Sequence, residues 1–87
     1  MENLDVTVLR ALRDWRMQDR RAVLATVVRT WGSSPRPVGC IMALREDGAV
    51  MGSVSGGCIE YDLIARYTQP GAVDALPREG PPQFLKY

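Results

Sequence analysis

The sequence predicts a small single α+β domain. A central strand and a β-hairpin form a mixed or antiparallel sheet, with one helix at the N-terminus and a second helix after the hairpin. Three observations favour this class. The chain has only 87 residues, which leaves room for one hydrophobic core. Two segments carry apolar residues at helical spacing. An Asp-Gly pair separates two short apolar runs, as in a hairpin.

The first predicted helix runs from Leu4 to Met17. Its apolar residues recur at the spacing of one helical face, which we expect to pack on the sheet; they are Leu4, Val8, Leu9, Leu12 and Trp15. Asn3 is the expected N-cap, and Asp5 and Arg16 suit the two ends of the helix dipole.

The predicted strands follow this helix. The segment from Ala22 to Val28 is almost wholly apolar and rich in β-branched residues, so we expect both of its faces to be covered and the segment to be the central strand. Residues 40–45 and 49–54 flank the turn sequence Glu46-Asp47-Gly48 and are predicted to pair as the hairpin.

The second predicted helix runs from about Gly56 to Tyr67, over the helical spacing of Ile59, Leu63 and Ile64. Residues 68–82 are rich in proline and glycine and are expected to be irregular. A short closing strand is predicted at residues 84–87.

The composition excludes several kinds of function. The chain has no histidine, which removes the commonest general base, the Ser-His and Cys-His pairs and most zinc and iron sites. A net charge of +1 argues against nucleic-acid or membrane-surface binding. The sequence carries neither a predicted leader nor a membrane span, so we expect a cytoplasmic protein with reduced thiols.

The junction Ser55-Gly56-Gly57-Cys58 is the first candidate site. If Ser55 is the N-cap, its hydroxyl accepts from first-turn amides, and the glycines let an anion approach the remaining N–H groups. Cys58 would then be about the third helical residue, where the helix dipole lowers the pKa of a thiol and suits a nucleophile or soft-metal ligand. The alternative is a tight junction with a small buried cysteine behind it. Glu60 is either a proton acceptor or ligand partner, or a solvated helix residue.

The loop from Thr30 to Gly39 is the second candidate. Its prolines restrict the backbone, Ser33 and Ser34 supply hydroxyls, and the planar guanidinium of Arg36 suits a phosphate. The loop could equally only join two strands, with Arg36 in solvent. Trp31 could stack on a flat ligand or cover the edge of the core.

Together these motifs resemble a known family. The strings VVRTWGSSPRPVG and GSVSGGCIE, with a strand and an Asp-Gly turn between them, are similar to the N-terminal domain of the XdhC/CoxI family of xanthine dehydrogenase accessory proteins over residues 4–67. The resemblance implies transient binding of molybdenum cofactor and its delivery to the apoenzyme of a molybdenum hydroxylase of the xanthine or carbon monoxide dehydrogenase type. With the candidate sites above, it implies these cofactor-binding residues, with Cys58 as the metal contact: Cys58, Gly56, Gly57, Ser55, Glu60, Ser33, Ser34 and Arg36.

The sequence also leaves open further partners and two alternative functions. A cysteine desulfurase and a second copy of the chain are further candidate partners, and no catalytic residue is predicted. The alternatives are a thiol-dependent enzyme that uses Cys58 as nucleophile, and a structural dimerisation module. Cys40 is assigned to packing. The Rossmann-like C-terminal domain typical of the family is absent from these 87 residues, so we expect a fragment of a two-domain protein or a stand-alone short member.

Overall fold

The computed structural model describes residues 3–28, 37–55, 57–73 and 82–85. It confirms the α+β class. The elements follow in the order α1 (Leu4–Met17), β1 (Ala22–Thr26), β2 (Ile41–Arg45), β3 (Val50–Gly52) and α2 (Cys58–Tyr67). The strands pair antiparallel in one sheet. Neither of the two described helices is long and apolar enough to cross a membrane.

Helix α1 has the predicted bounds because both of its ends are capped locally. The Asn3 side-chain oxygen accepts a hydrogen bond from the amide of Asp5 at 2.7 Å, which confirms the predicted N-cap. At the other end, Asp19 adopts a left-handed backbone with φ of 61°. The amide of Asp19 then donates to the carbonyl of Arg16, and the amide of Arg20 donates to that of Trp15. This pair of bonds is a Schellman motif, which satisfies the last carbonyls of the helix.

The sheet has the order β1-β2-β3, so β2 is the central strand. Its residues Met42, Ala43 and Leu44 are fully buried. The prediction that residues 22–28 form the central strand is wrong, because β1 lies at an edge of the described sheet and ends at Thr26, and Leu24 is 45% exposed. A continuous apolar run does not by itself distinguish a strand covered on both faces from one covered on a single face.

The hairpin between β2 and β3 is confirmed. Its turn needs Gly48, which has φ of +100°, and the amide of Arg45 donates to the carbonyl of Ala49 at 2.8 Å. The Arg45 guanidinium binds both carboxylate oxygens of Asp47 at 2.7 and 2.9 Å. Arg20, beyond the end of α1, donates to the same carboxylate at 3.0 Å. The Arg45 hydrogen bond lowers the pKa of Asp47 well below its ordinary value.

The two faces of the sheet are covered by different helices. Buried residues of β2 form a core with α2 on one face: Met42, Leu44, Val54 and Leu63. Ala43 and Arg45 point to the opposite face by the alternation of the strand. There the Arg45 guanidinium lies 5.5 Å from the centroid of the Trp15 ring of α1. Buried Val8 lies on the same helix, so the prediction that α1 packs on the sheet is confirmed.

The predicted closing strand does not form in its described part. Residues 82–85 have no regular structure, and Phe84 is exposed. The Tyr67 hydroxyl donates to the side-chain oxygen of Gln83 at 2.6 Å, and Leu85 packs against the core. The segment is therefore held by side chains instead of by pairing with the sheet. Residues 86 and 87 of this prediction lie outside the described residues.

Candidate cofactor-binding turn

The junction from β3 to α2 is organised around the carboxylate of Glu60. Strand β3 ends at Gly52, Val54 inserts into the core with 4% of its surface exposed, and α2 begins at Cys58. Glu60 lies in the first turn of α2, and its side chain reaches back toward the strand. A glutamate at the third helical position commonly bonds backbone amides before the helix.

The two carboxylate oxygens divide the donors of the junction between them. Oε1 accepts from the hydroxyl of Ser53 at 3.1 Å and from the amides of Val54 and Ser55, each at 2.6 Å. Oε2 accepts from the hydroxyl of Ser55 and the amide of Gly57, each at 2.5 Å. Hydrogen bonds to an ionised acceptor are shorter and stronger than neutral ones, so this carboxylate is the main link across the junction.

These bonds set the ionisation of Glu60. Partial burial raises the pKa of its carboxyl, but the hydrogen bonds from the Ser55 hydroxyl and from the amides of Val54 and Ser55 outweigh burial and lower the pKa to about 2. Glu60 is therefore a carboxylate at neutral pH. The alternative that it is a solvated helix residue is wrong, because both of its oxygens are bonded within the chain.

Ser55 bonds the helix start from outside the helix. Its hydroxyl oxygen accepts from the amide of Ile59 at 3.1 Å, as predicted, and from the amide of Gly57 at 3.3 Å. The N-cap position itself belongs to Gly57. Ser55 as the N-cap residue is therefore a wrong prediction, although its predicted bond to a first-turn amide is present.

Gly57 decides where α2 begins. Its φ of +151° and ψ of −53° are a conformation that side-chain-bearing residues rarely adopt, so the helix starts only after it. Cys58 is consequently the first helical residue and not the third. A Cβ built on Gly57 would meet no described atom within 4 Å, so the glycine is needed for its backbone conformation and not for space.

The structure brings some of the predicted site residues together. Ser55, Gly57 and Glu60 form one hydrogen-bonded group, and the backbone of Cys58 lies between Gly57 and Glu60. The other predicted positions, with the Cys58 side chain, lie outside the described residues: Ser33, Ser34, Arg36, Gly56 and the alternative ligand contact Trp31. Their roles stay predictions.

The prediction that the turn offers free amides to an external anion is wrong for Ser55 and Gly57, because both of these amides donate to Glu60. For Gly56, which lies outside the described residues, it stays a prediction. Sequence reasoning also missed Ser53 and Val54 as parts of the junction. The spacing of Gly57 and Glu60, an N-cap residue followed by a glutamate at the third helical position, is the signal that points to this arrangement.

Cys40 and the acidic side chains were compared with the predicted thiol and metal chemistry. Cys40 is a half-buried free cysteine whose carbonyl accepts from the amide of Val27 at 2.9 Å, next to the end of β1. Among the side chains that the structure describes, which do not include that of Cys58, no three from His, Cys, Asp or Glu lie close enough together to hold a metal ion.

The chain is therefore a small α+β domain in which the carboxylate of Glu60 ties the glycine–cysteine turn to Val54, a residue buried in the core. Residues 15–81 match the XdhC and CoxI family, and the chain belongs to this family. The resemblance seen in the sequence is thus confirmed.

Two known proteins are similar to the chain. It is 46% identical over 54 residues to the molybdenum cofactor insertion chaperone PaoD of Escherichia coli (strain K12), a match that covers 62% of this chain and 17% of that protein. It is 38% identical over 65 residues to a probable xanthine dehydrogenase subunit of Bacillus subtilis (strain 168), with 75% and 19% covered. The matched region spans less than a fifth of the length of either relative.

Proposed function

We propose that this chain binds molybdenum cofactor as cargo and assists its insertion into a molybdenum hydroxylase of the xanthine or carbon monoxide dehydrogenase type. The observation that carries the proposal is the 46% identity to a molybdenum cofactor insertion chaperone, within a chain that belongs to the XdhC and CoxI family. The proposed role is that of an accessory protein and not of a catalyst.

The chemistry of the turn supports a contact between Cys58 and the cofactor. The cofactor contains a soft metal, a planar pterin and a phosphate, and a cysteine sulfur is a ligand that suits soft metals. The bonds of Glu60 hold the backbone on both sides of Cys58, which places this residue at the start of α2. In the proposed site Cys58 is the thiol contact, and Arg36, Ser33 and Ser34 of the preceding loop are the contacts to the polar parts of the cofactor.

The proposed partner is the apoenzyme that receives the cofactor. The names of the two relatives, an insertion chaperone and a xanthine dehydrogenase subunit, support a partner of this class. A cysteine desulfurase, a second copy of the chain and a cytoplasmic location stay predictions.

A retention experiment tests the proposal. The protein is incubated with freshly released molybdenum cofactor, re-isolated, and assayed for pterin and molybdenum. We expect near-stoichiometric retention by the unchanged chain and by the control Cys40→Ser, and loss of most retention in Cys58→Ser. Thermal unfolding of both variants is measured in parallel and should be nearly unchanged.

Two results would contradict this proposal. Failure of the unchanged chain to retain pterin above a buffer blank would remove the cofactor-binding function. Full retention by Cys58→Ser would keep the function but remove Cys58 as a contact.

A further inference from the structure

We infer that Glu60 is a positioning residue of the proposed site: its carboxylate fills the anion position at the start of α2 from within the chain, so that the turn holds Cys58 in place but does not bind the phosphate of the cofactor. This inference rests on the proposed function. It replaces the expectation that Glu60 itself contacts the cofactor.

Glu60 accepts from three backbone amides of the junction. Those of Val54 and Ser55 come before the glycine pair, and the third belongs to Gly57, its second residue. A phosphate bound in this turn would compete for these same amides. Because each of them already donates to a carboxylate oxygen at 2.5–2.6 Å, a phosphate would have to displace Glu60 before it could bind them.

The strand side of the junction is anchored in the core. Val54 is buried in the same hydrophobic cluster as Met42, Leu44 and Leu63. Glu60 therefore ties the first turn of α2 to a rigid part of the molecule. Cys58 lies between two residues that take part in this bonding, Gly57 and Glu60, and its backbone position follows from theirs.

The phosphate of the cofactor then needs another contact. With the amides of Val54, Ser55 and Gly57 bonded to Glu60, the proposed site takes this contact from the loop that precedes β2. Arg36 is the residue of that loop whose planar, permanently charged guanidinium suits a phosphate. The turn and the loop then have separate tasks, the first holding the thiol and the second holding the anion.

The test uses backbone amide signals from nuclear magnetic resonance spectra of the ¹⁵N-labelled chain. Inorganic phosphate is titrated into the unchanged protein, Glu60→Gln and the control Asp62→Asn. Glutamine keeps the size of Glu60 but replaces one acceptor oxygen with an NH₂ group, so it cannot accept at both positions. Asp62 lies on the same helix, pairs with Arg66 at 3.6 Å and is not among the described bonding partners of the three turn amides.

We expect the amide signals of Val54, Ser55 and Gly57 to stay unmoved by phosphate in the unchanged protein and in Asp62→Asn. In Glu60→Gln the same signals should change position before any phosphate is added, and cofactor retention should fall several-fold. Phosphate that moves these three signals in the unchanged protein would overturn the inference, and so would a Glu60→Gln variant with unmoved signals and full retention. If Glu60→Gln does not fold, the phosphate titration of the unchanged protein still tests the inference.

These outcomes are distinct from failure of the proposed function. A chain that never retains the cofactor, but whose turn amides ignore phosphate, contradicts the function and leaves the bonding of Glu60 as described. A chain that retains the cofactor, but whose turn amides respond to phosphate, contradicts only the inference.

Discussion

The Oε1 atom of Glu60 lies 2.6 Å from the backbone nitrogen of Val54, six residues earlier in the chain. This bond joins the first turn of α2 to a residue that is buried in the core. The full set of bonds to both oxygens of Glu60 exists only while the group is ionised, because a carboxylate accepts at both oxygens and a carboxylic acid must donate from one of them. The stability of the domain should therefore depend on the protonation of this one group.

The first prediction is a loss of stability in acid that is specific to Glu60. The pKa of Glu60 falls from its ordinary 4.5 to about 2 in the folded chain, so the unfolded chain takes up the proton first as the pH falls. The stabilisation is complete above about pH 4.5 and is lost as the pH approaches 2. Urea unfolding of the unchanged chain and of Glu60→Gln, at several pH values, measures it.

The free-energy difference between these two proteins should narrow steadily as the pH falls. Asp47 also has a lowered pKa, but it is present in both proteins and cancels in the difference. A difference that stays constant across this acid range would show that the charge of Glu60 does not stabilise the junction.

The second prediction compares two glycines with nearly equal φ angles. Gly52 has φ of +90° and Gly39 has φ of +96°. A Cβ on Gly52 would lie 2.5 Å from the carbonyl oxygen of Ile41 and 2.7 Å from Cγ2 of Val8, whereas one on Gly39 would meet no described atom within 4 Å. Gly39→Ala should therefore cost about 1 kcal/mol for the left-handed backbone alone.

Gly52→Ala should cost about 3 kcal/mol or more, because the clashes with the Ile41 carbonyl of β2 and with Val8 of α1 are added to the backbone cost. Chemical denaturation of the two variants gives both values. Equal losses would mean that β2 and α1 do not lie as close to Gly52 as the structure places them.

The third prediction concerns the end of α1. Asp19 holds a left-handed conformation in the Schellman motif, which glycine adopts without steric cost. Asp19→Gly should raise the free energy of unfolding by about 0.5–1 kcal/mol. The matched control is Asp14→Gly inside the helix, which should lower it by a few tenths of a kcal/mol. The same sign for both substitutions would contradict the left-handed geometry at Asp19.

Local patterns in the sequence were sufficient to predict α1, the hairpin and the end of α2. The spacing of apolar residues together with the Asn3 cap predicted α1 with both of its bounds, and the Asp-Gly pair predicted the hairpin. The end of α2 at Tyr67 also agreed. Each of these features depends on residues within a few positions of one another, because helical periodicity, capping bonds and left-handed turns are local properties of the chain.

The tertiary structure alone decided which strand is central and what the turn before α2 binds. An apolar run does not show how many neighbours a strand will have, so the sequence pattern did not identify β2, with its fully buried Met42, Ala43 and Leu44, as the centre of the sheet. Likewise, a glycine pair before a helix predicts amides that suit an anion, but not which anion they meet. Here the chain turns between β3 and α2 so that the carboxylate of Glu60 reaches the amides of Val54 and Ser55 as well as that of Gly57. The capping spacing points only to the bond with Gly57, and the folded junction assigns the other two amides to a residue of the chain instead of to a ligand.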